Sequence, residues 1–207
     1  MRQEELSKAI RKEAQRLHKE LGKAEAESLV GFFRLLVRWG QRIRLTGSHD
    51  PLELISQHLA DALVMSRELG EVPSFIDVGS GGGLPAIPYL LLEHSPRSLL
   101  VEVNQRKSVF LRTAVHEMGL QGAEVKAQRV EELGSPDPRF DLVSSRATFA
   151  PTKWLEIAEA LVAPGGRVLV FVAKEERLPE ASGSLRMGKM WRYSLVDGSP
   201  RTLACYH

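Results

Sequence analysis

One cysteine, Cys205, is all that 207 residues contain. An internal disulfide and any cysteine-cluster metal site are therefore excluded, and no metal is expected. No apolar run approaches the ~20 residues of a membrane-spanning helix. Nor is there a large net charge: at +2, the chain as a whole does not announce a polyanionic partner. Glu4, Glu5 and repeated basic residues precede any apolar stretch, a pattern unlike a secretory signal. The expectation is a cytoplasmic, monomeric protein with no membrane partner. What is present is ordinary globular material, 43% apolar and 26% charged, long enough for one α/β domain with an extra element but short for two domains.

The distribution of charge says more than its sum. Residues 1–50 hold 11 Lys or Arg against 7 Asp or Glu, and the remainder 17 against 19. Positive charge is thus concentrated at the front, where it serves either phosphate attraction or plain solvation of a helix face. Leu6, Ile10, Ala14, Leu17 and Leu21 recur at helical spacing, and Gly22 supplies a stop. A second helix is predicted over 24–41, with Leu29, Phe32, Phe33, Leu36 and Val37 inward and Arg34, Arg38 and Arg42 in a row at four-residue intervals. After Asp50-Pro51, a third pattern runs from Leu54 to Met65 and ends at Gly70.

From Ser74 the period changes. Short β-type runs (75–78, 99–103, 123–127, 140–143, 167–172) alternate with helical stretches starting near Leu84, Gln105 and Pro151, which indicates a parallel sheet covered by helices on both faces. The segments 191–196 and 202–206, separated by Asp197-Gly198, read as a terminal antiparallel hairpin. The expected fold class is α/β: a Rossmann-like, mostly parallel sheet with that hairpin and an N-terminal helical extension. The division falls at 1–72 for the helices and 73–207 for the sheet domain.

Asp77-Val78-Gly79-Ser80-Gly81-Gly82-Gly83-Leu84-Pro85 joins the first strand to its helix, where doubly wound folds place ligands. A dinucleotide fingerprint begun at Gly79 requires glycine where Leu84 stands, which disfavours a nicotinamide dehydrogenase. Glycines at 79, 81 and 83 behind an acid instead suit the amino-acid end of S-adenosylmethionine, with Asp77 facing its ammonium. Glu102 follows at the distance where such folds set a carboxylate against ribose hydroxyls. Each feature alone has a plainer reading, tight turns for the glycines and a solvated strand end for Glu102.

The run Asp77 to Pro88, with prolines at 85 and 88, strongly resembles the motif of the bacterial 16S rRNA guanine-N7 methyltransferase family once called glucose-inhibited division protein B. Arg106-Lys107 with Phe110-Leu111-Arg112, Arg129 to Leu133, Phe140-Asp141 with Ser145-Arg146-Ala147, Leu45-Thr46 and His58 to Leu63 agree in order, so the likeness covers roughly residues 25–175. The resemblance implies an S-adenosylmethionine-dependent methyltransferase with cofactor contacts at Gly79, Leu84, Val130, Glu131 and Arg146. The implied substrate is 16S ribosomal RNA or a small-subunit particle, held by Arg34, Arg38, Arg42, Arg44, Arg106, Lys107 and Lys174, with the helical extension facing RNA. His58 and Thr46 are candidates to line the approach to the base. Ala86 departs from the family's usual glycine, Arg44 from its asparagine, and the segment 176–190 is short and rich in Gly and Ser. Guanine N7 carries an in-plane lone pair, so no proton-transfer residue is named and the catalytic residues are left unassigned. A small-molecule methyltransferase and a non-catalytic RNA-binding factor stay open as alternatives. Gly81→Val is expected to abolish S-adenosylmethionine binding by filling the loop; calorimetric titration with wild-type affinity would show the loop reading to be wrong.

Overall fold

The computed structural model describes residues 3–173 and 177–207. Three helices come first: α1 (Gln3–Arg16), α2 (Lys23–Gly40) and α3 (Pro51–Leu69). Then follow β1 (Ser74–Val78), α4 (Ala86–Leu92), β2 (Arg97–Val101), α5 (Gln105–Glu117), β3 (Ala123–Lys126), a 3-10 turn (Val130–Leu133), β4 (Phe140–Ser145) and α6 (Pro151–Ala158). The chain closes with β5 (Val162–Val172), β6 (Ala181–Ser182), β7 (Leu185–Ser194) and β8 (Pro200–Tyr206). The sheet order is β3-β2-β1-β4-β5-β8-β7-β6. β1 to β5 pair in parallel, and β8 enters antiparallel between β5 and β7. The strand order therefore reverses between β1 and β4, which leaves a crevice at their carboxyl ends.

Alternation along the strands sorts the two faces. Phe75 of β1 and Leu142 of β4 point into one apolar cluster with α1 to α5, whereas Ile76, Val78 and Val143 join Trp154 and Leu155 of α6 on the other side. The first three helices share that first cluster with the sheet. Their own sequence explains why: Leu6, Ile10, Leu29, Phe32, Phe33, Leu36, Leu54 and Leu59 are all buried stripe positions.

Polar clamps add to this packing. Arg16 makes two hydrogen bonds to buried Glu13 and a third to the Ser194 carbonyl of β7. Lys19 and Ser66 both donate to Glu93 at the end of α4. α1 ends earlier than the apolar spacing predicted, at Arg16 instead of near Gly22. The cause is His18, which takes φ +57°, so that Lys19 N–H reaches the Ala14 carbonyl and His18 N–H the Gln15 carbonyl in a left-handed cap. Gly22 then serves the opposite purpose, opening α2 with its N–H donating to Glu25 Oε2.

Several strand boundaries also differ from the expected runs, most of all in the terminal hairpin, whose first strand is Leu185–Ser194 where 191–196 was expected. β2 ends at Val101, which puts Glu102 and Val103 in the loop, and β5 begins at Val162 because that residue already pairs with Phe140 before the Pro164-Gly165-Gly166 bend. Ala86, the residue in the family's glycine position, opens α4 as a buried residue and is absent from the residues of positive φ. A Cβ placed on Gly82 would lie 3.3 Å from Leu36 Cδ1, so α2 supports the glycine loop from below. Leu36→Ala is expected to cost about 2–5 kcal/mol in urea unfolding; a loss under 1 kcal/mol would mean that Leu36 is not part of the packed support.

Candidate active site

A cleft of about 680 Å³ opens at the carboxyl ends of β1, β2 and β4, within the roughly 300–1,000 Å³ range of small-molecule sites. Its floor is the glycine loop. Gly79, Gly81 and Gly83 take φ of +74°, +54° and +74°. Gly79 also lies hard against the loop after β4, since an added Cβ would come 2.2 Å from Thr148 Oγ1. Consecutive loop N–H groups are turned toward β2: Gly79 and Ser80 donate to the Val101 carbonyl at 2.8 and 3.1 Å, and Gly81 donates to Glu102 Oε2 at 2.8 Å. The other oxygen of Glu102 accepts from Asn104 N–H at 2.8 Å. Glu102 thus ties the loop after β1 to the loop after β2 while still lining the cleft.

Of the residues the sequence singled out for the cofactor, Gly79, Gly81, Leu84, Glu102, Val130, Glu131 and Arg146 line this cleft. Asp77 and Gly83 are not among its lining residues. Asp77 is 1% exposed beneath the loop, where Ser144 Oγ, its neighbour across β1 and β4, donates to Oδ1 at 2.5 Å. Gly83 packs inward on Ile87 and Leu111. The expectation that Asp77 faces a ligand ammonium is corrected to a support role: period-two alternation turns its side chain to the same sheet face as Phe75. Burial pushes the Asp77 carboxyl up to about 7, against the lowering effect of its hydrogen bonds from Ser144 and Ser80.

Lys107 lines the cleft mouth, and Arg106 beside it is exposed. Arg34, Arg42 and Arg44 are exposed and outside the cleft. Arg38 is also exposed, but its guanidinium is engaged by both oxygens of Glu117 on α5 at 2.9 Å, so the expected row of three arginines is interrupted by an ion pair. Lys174 lies outside the described residues. Thr46 and His58 both line the cleft.

Sequence reasoning missed two groups. The first is Ala147-Thr148-Phe149, which forms the far wall; Ala147 takes φ +56°, a costly conformation for a residue with a Cβ, and Phe149 stacks on Trp154 at 6.0 Å. The second is Asp61 with Tyr193. Arg146 Nε lies 2.7 Å from Asp61 Oδ2, and the Tyr193 hydroxyl donates to Asp61 Oδ1 at 2.6 Å. Arg146 Nη2 stands 3.1 Å from His58 Nδ1. Burial, followed by the charges of Arg146 and Arg201, lowers the His58 pKa to about 4, so the ring is neutral at pH 7. His58 and Asp61, three apart on α3, offered a signal as a same-face polar pair in an apolar helix. Tyr193, 132 positions from its partner, offered none.

The donor set suits an adenosyl amino acid. Carboxylates at Glu102 and Glu131, cations at Lys107 and Arg146, and apolar walls from Leu84, Val101, Val103, Val130 and Phe149 surround one space. A mostly parallel sheet with this reversed last strand, carrying such a cleft on a glycine loop, defines a Rossmann-like S-adenosylmethionine-dependent methyltransferase. A solved structure described as a SAM dependent methyltransferase from Aquifex aeolicus shares the fold, with a TM-score of 0.57 at 21% identity over 76% of this chain and 93% of that one. Sequence narrows the class further. The rRNA small subunit methyltransferase G family (GidB) matches residues 25–189, and the chain belongs to that family. Its relatives include the Ribosomal RNA small subunit methyltransferase G of Chromobacterium violaceum, 34% identical over 72% of this chain and 70% of the relative. That of Halorhodospira halophila is 36% identical over 80% and 77%.

The Asp77 carboxyl holds its proton to higher pH in the folded chain than in the unfolded one, so its contribution to stability is complete below about 3.8 and lost as pH rises to about 7. Asp77→Asn, which copies the protonated form, is therefore expected to raise the unfolding free energy relative to wild type more at pH 8 than at pH 4. A pH-independent difference in urea midpoints would contradict the buried-acid assignment.

Proposed function

We propose that the protein transfers the methyl group of S-adenosylmethionine to N7 of a guanine in 16S ribosomal RNA. Membership of the family supports the small-subunit RNA substrate, and the cleft's mixed donor set carries the cofactor assignment. When bound, the cofactor supplies an electrophilic methyl on a positively charged sulfur. The residues that would hold it are Glu102 and Glu131 for hydroxyl and amino groups, Leu84 and Val130 for the flat base, and Arg146 and Lys107 for the carboxylate.

Guanine N7 needs no deprotonation, so the protein's contribution is placement and exclusion of water from the line of transfer. The loop after β4 fits that demand. With the last two residues of β4 before it, it reads Ser144-Ser145-Arg146-Ala147, without the Asp/Asn-Pro-Pro-aromatic arrangement used on exocyclic amines, and the chain has no cysteine in the cleft of the kind pyrimidine C5 chemistry requires. Ser144 and Ser145 are both consumed structurally, donating to Asp77 and to the Val78 carbonyl.

RNA phosphates would meet the exposed Arg34, Arg42, Arg44 and Arg106 and the cleft-mouth Lys107, with Arg38 exchanging Glu117 for phosphate. The target guanine must lie in an accessible loop or an incompletely assembled particle, because A-form major grooves do not admit side chains. A ribosomal RNA substrate supports a cytoplasmic location for the protein. The deciding experiment is mass mapping of 16S rRNA from cells lacking the gene. The expected result is the loss of one guanine methylation, restored by expression of the wild-type protein. An unchanged methylation map would overturn the assignment.

A further inference from the structure

Asp61 lies in an apolar stretch of α3, between Ala60 and Ala62, and its side chain is 2% exposed. A carboxylate so placed is costly unless it is ion-paired and hydrogen-bonded. Both of its oxygens are engaged, Oδ2 by Arg146 Nε and Oδ1 by the Tyr193 hydroxyl. Arg146 passes the constraint onward. A guanidinium has donors and no acceptor, so the 3.1 Å contact of Arg146 Nη2 with His58 Nδ1 makes that nitrogen the acceptor. The imidazole is then neutral and carries its proton on Nε2.

The four groups come from α3, from the loop after β4 and from β7, and they converge on one wall. Arg146 and His58 line the cleft, whereas Asp61 and Tyr193 are not among its lining residues and form the support behind. Within this set the Asp61 carboxylate balances the Arg146 guanidinium, and the imidazole and phenol carry no charge; the further cation that reaches His58 and Tyr193, Arg201, is not among the cleft's lining residues. That balance matters for the reaction proposed above, because its methyl donor carries a sulfonium and its product a neutral thioether. An arginine without a counter-charge in this wall would repel the donor more than the product, and the desolvated setting would strengthen the effect.

We propose that Asp61, braced by Tyr193, is a positioning residue that fixes Arg146 and cancels its charge, so that the cleft accepts a cationic methyl donor. The role rests on the reading of the cleft as the S-adenosylmethionine site. It differs from a merely structural role in one measurable respect. Loss of active fraction lowers the stoichiometry for both ligands and a loosened cleft weakens both alike, whereas loss of charge cancellation separates their affinities.

The test is calorimetric titration of S-adenosylmethionine and of S-adenosylhomocysteine into the full chain. Asp61→Asn keeps the shape and an acceptor for Tyr193 but removes the charge. It is expected to weaken S-adenosylmethionine about tenfold more than S-adenosylhomocysteine. Tyr193→Phe, which keeps the charge, leaves the ratio of the two dissociation constants near the wild-type value. Adding Arg146→Met to Asp61→Asn returns that ratio toward wild type. Equal weakening of both ligands by Asp61→Asn would overturn the proposal while leaving the cofactor reading intact. A wild-type chain that binds neither ligand would overturn both. In the wild type itself, ¹⁵N spectra of histidine-labelled protein at pH 7 are expected to show His58 neutral with its proton on Nε2; a proton on Nδ1 would break the chain of contacts and refute the proposal without any variant.

Discussion

One carboxylate holds the cleft in shape. Glu102 accepts from Gly81 N–H through one oxygen and from Asn104 N–H through the other, both at 2.8 Å, and so joins the two loops that leave β1 and β2. Hydrogen bonds from backbone N–H to an ionised carboxylate are about twice as strong as neutral ones. The loop they restrain is one whose glycines would otherwise have wide conformational freedom. The neighbouring bonds from Gly79 and Ser80 to the Val101 carbonyl continue the same seam. A carboxylate with each oxygen bound once still has lone pairs to offer, so the residue that orders the loop also faces the ligand space.

Beneath that seam the supports are layered. Asp77 and Ser144 link β1 to β4 under the loop, and Ser145 donates to the Val78 carbonyl one residue on. Leu36 fills the space below Gly82 from α2, which explains why the helices that precede the sheet cannot be considered apart from the site. At the opposite wall, Trp154 donates its indole N–H to the Leu169 carbonyl at 2.8 Å and presents a flat surface to Phe149, so the far side of the cleft is also anchored in the sheet.

The fold was largely legible in advance because its signals are periodic. Apolar spacing placed α2 and α3 within a residue or two, and the change from helical to strand period located all five parallel strands. What failed did so for local reasons. His18 adopts a left-handed cap without being a glycine, and Gly22, which looked like a stop, opens the next helix. For the site, contiguous motifs were readable: seven of the nine residues singled out for the cofactor line one cleft. Asp77 was misjudged because its place in a motif does not reveal which sheet face its side chain takes. Tyr193 was beyond reach, since its pairing with Asp61, 132 positions away, depends on where β7 falls in the sheet beside β8. Charge was the weakest guide, as Arg38 shows: nothing in its spacing foretold Glu117.

The central claim is that this preformed cleft, ordered by Glu102, receives S-adenosylmethionine. The most direct measurement is a crystal structure of the protein grown with that compound. The account requires ligand density along the glycine loop, with ribose hydroxyls within hydrogen-bond distance of Glu102 while Gly81 and Asn104 still donate to it. An empty cleft at saturating ligand, or Glu102 turned away from both amides in the complex, would contradict it.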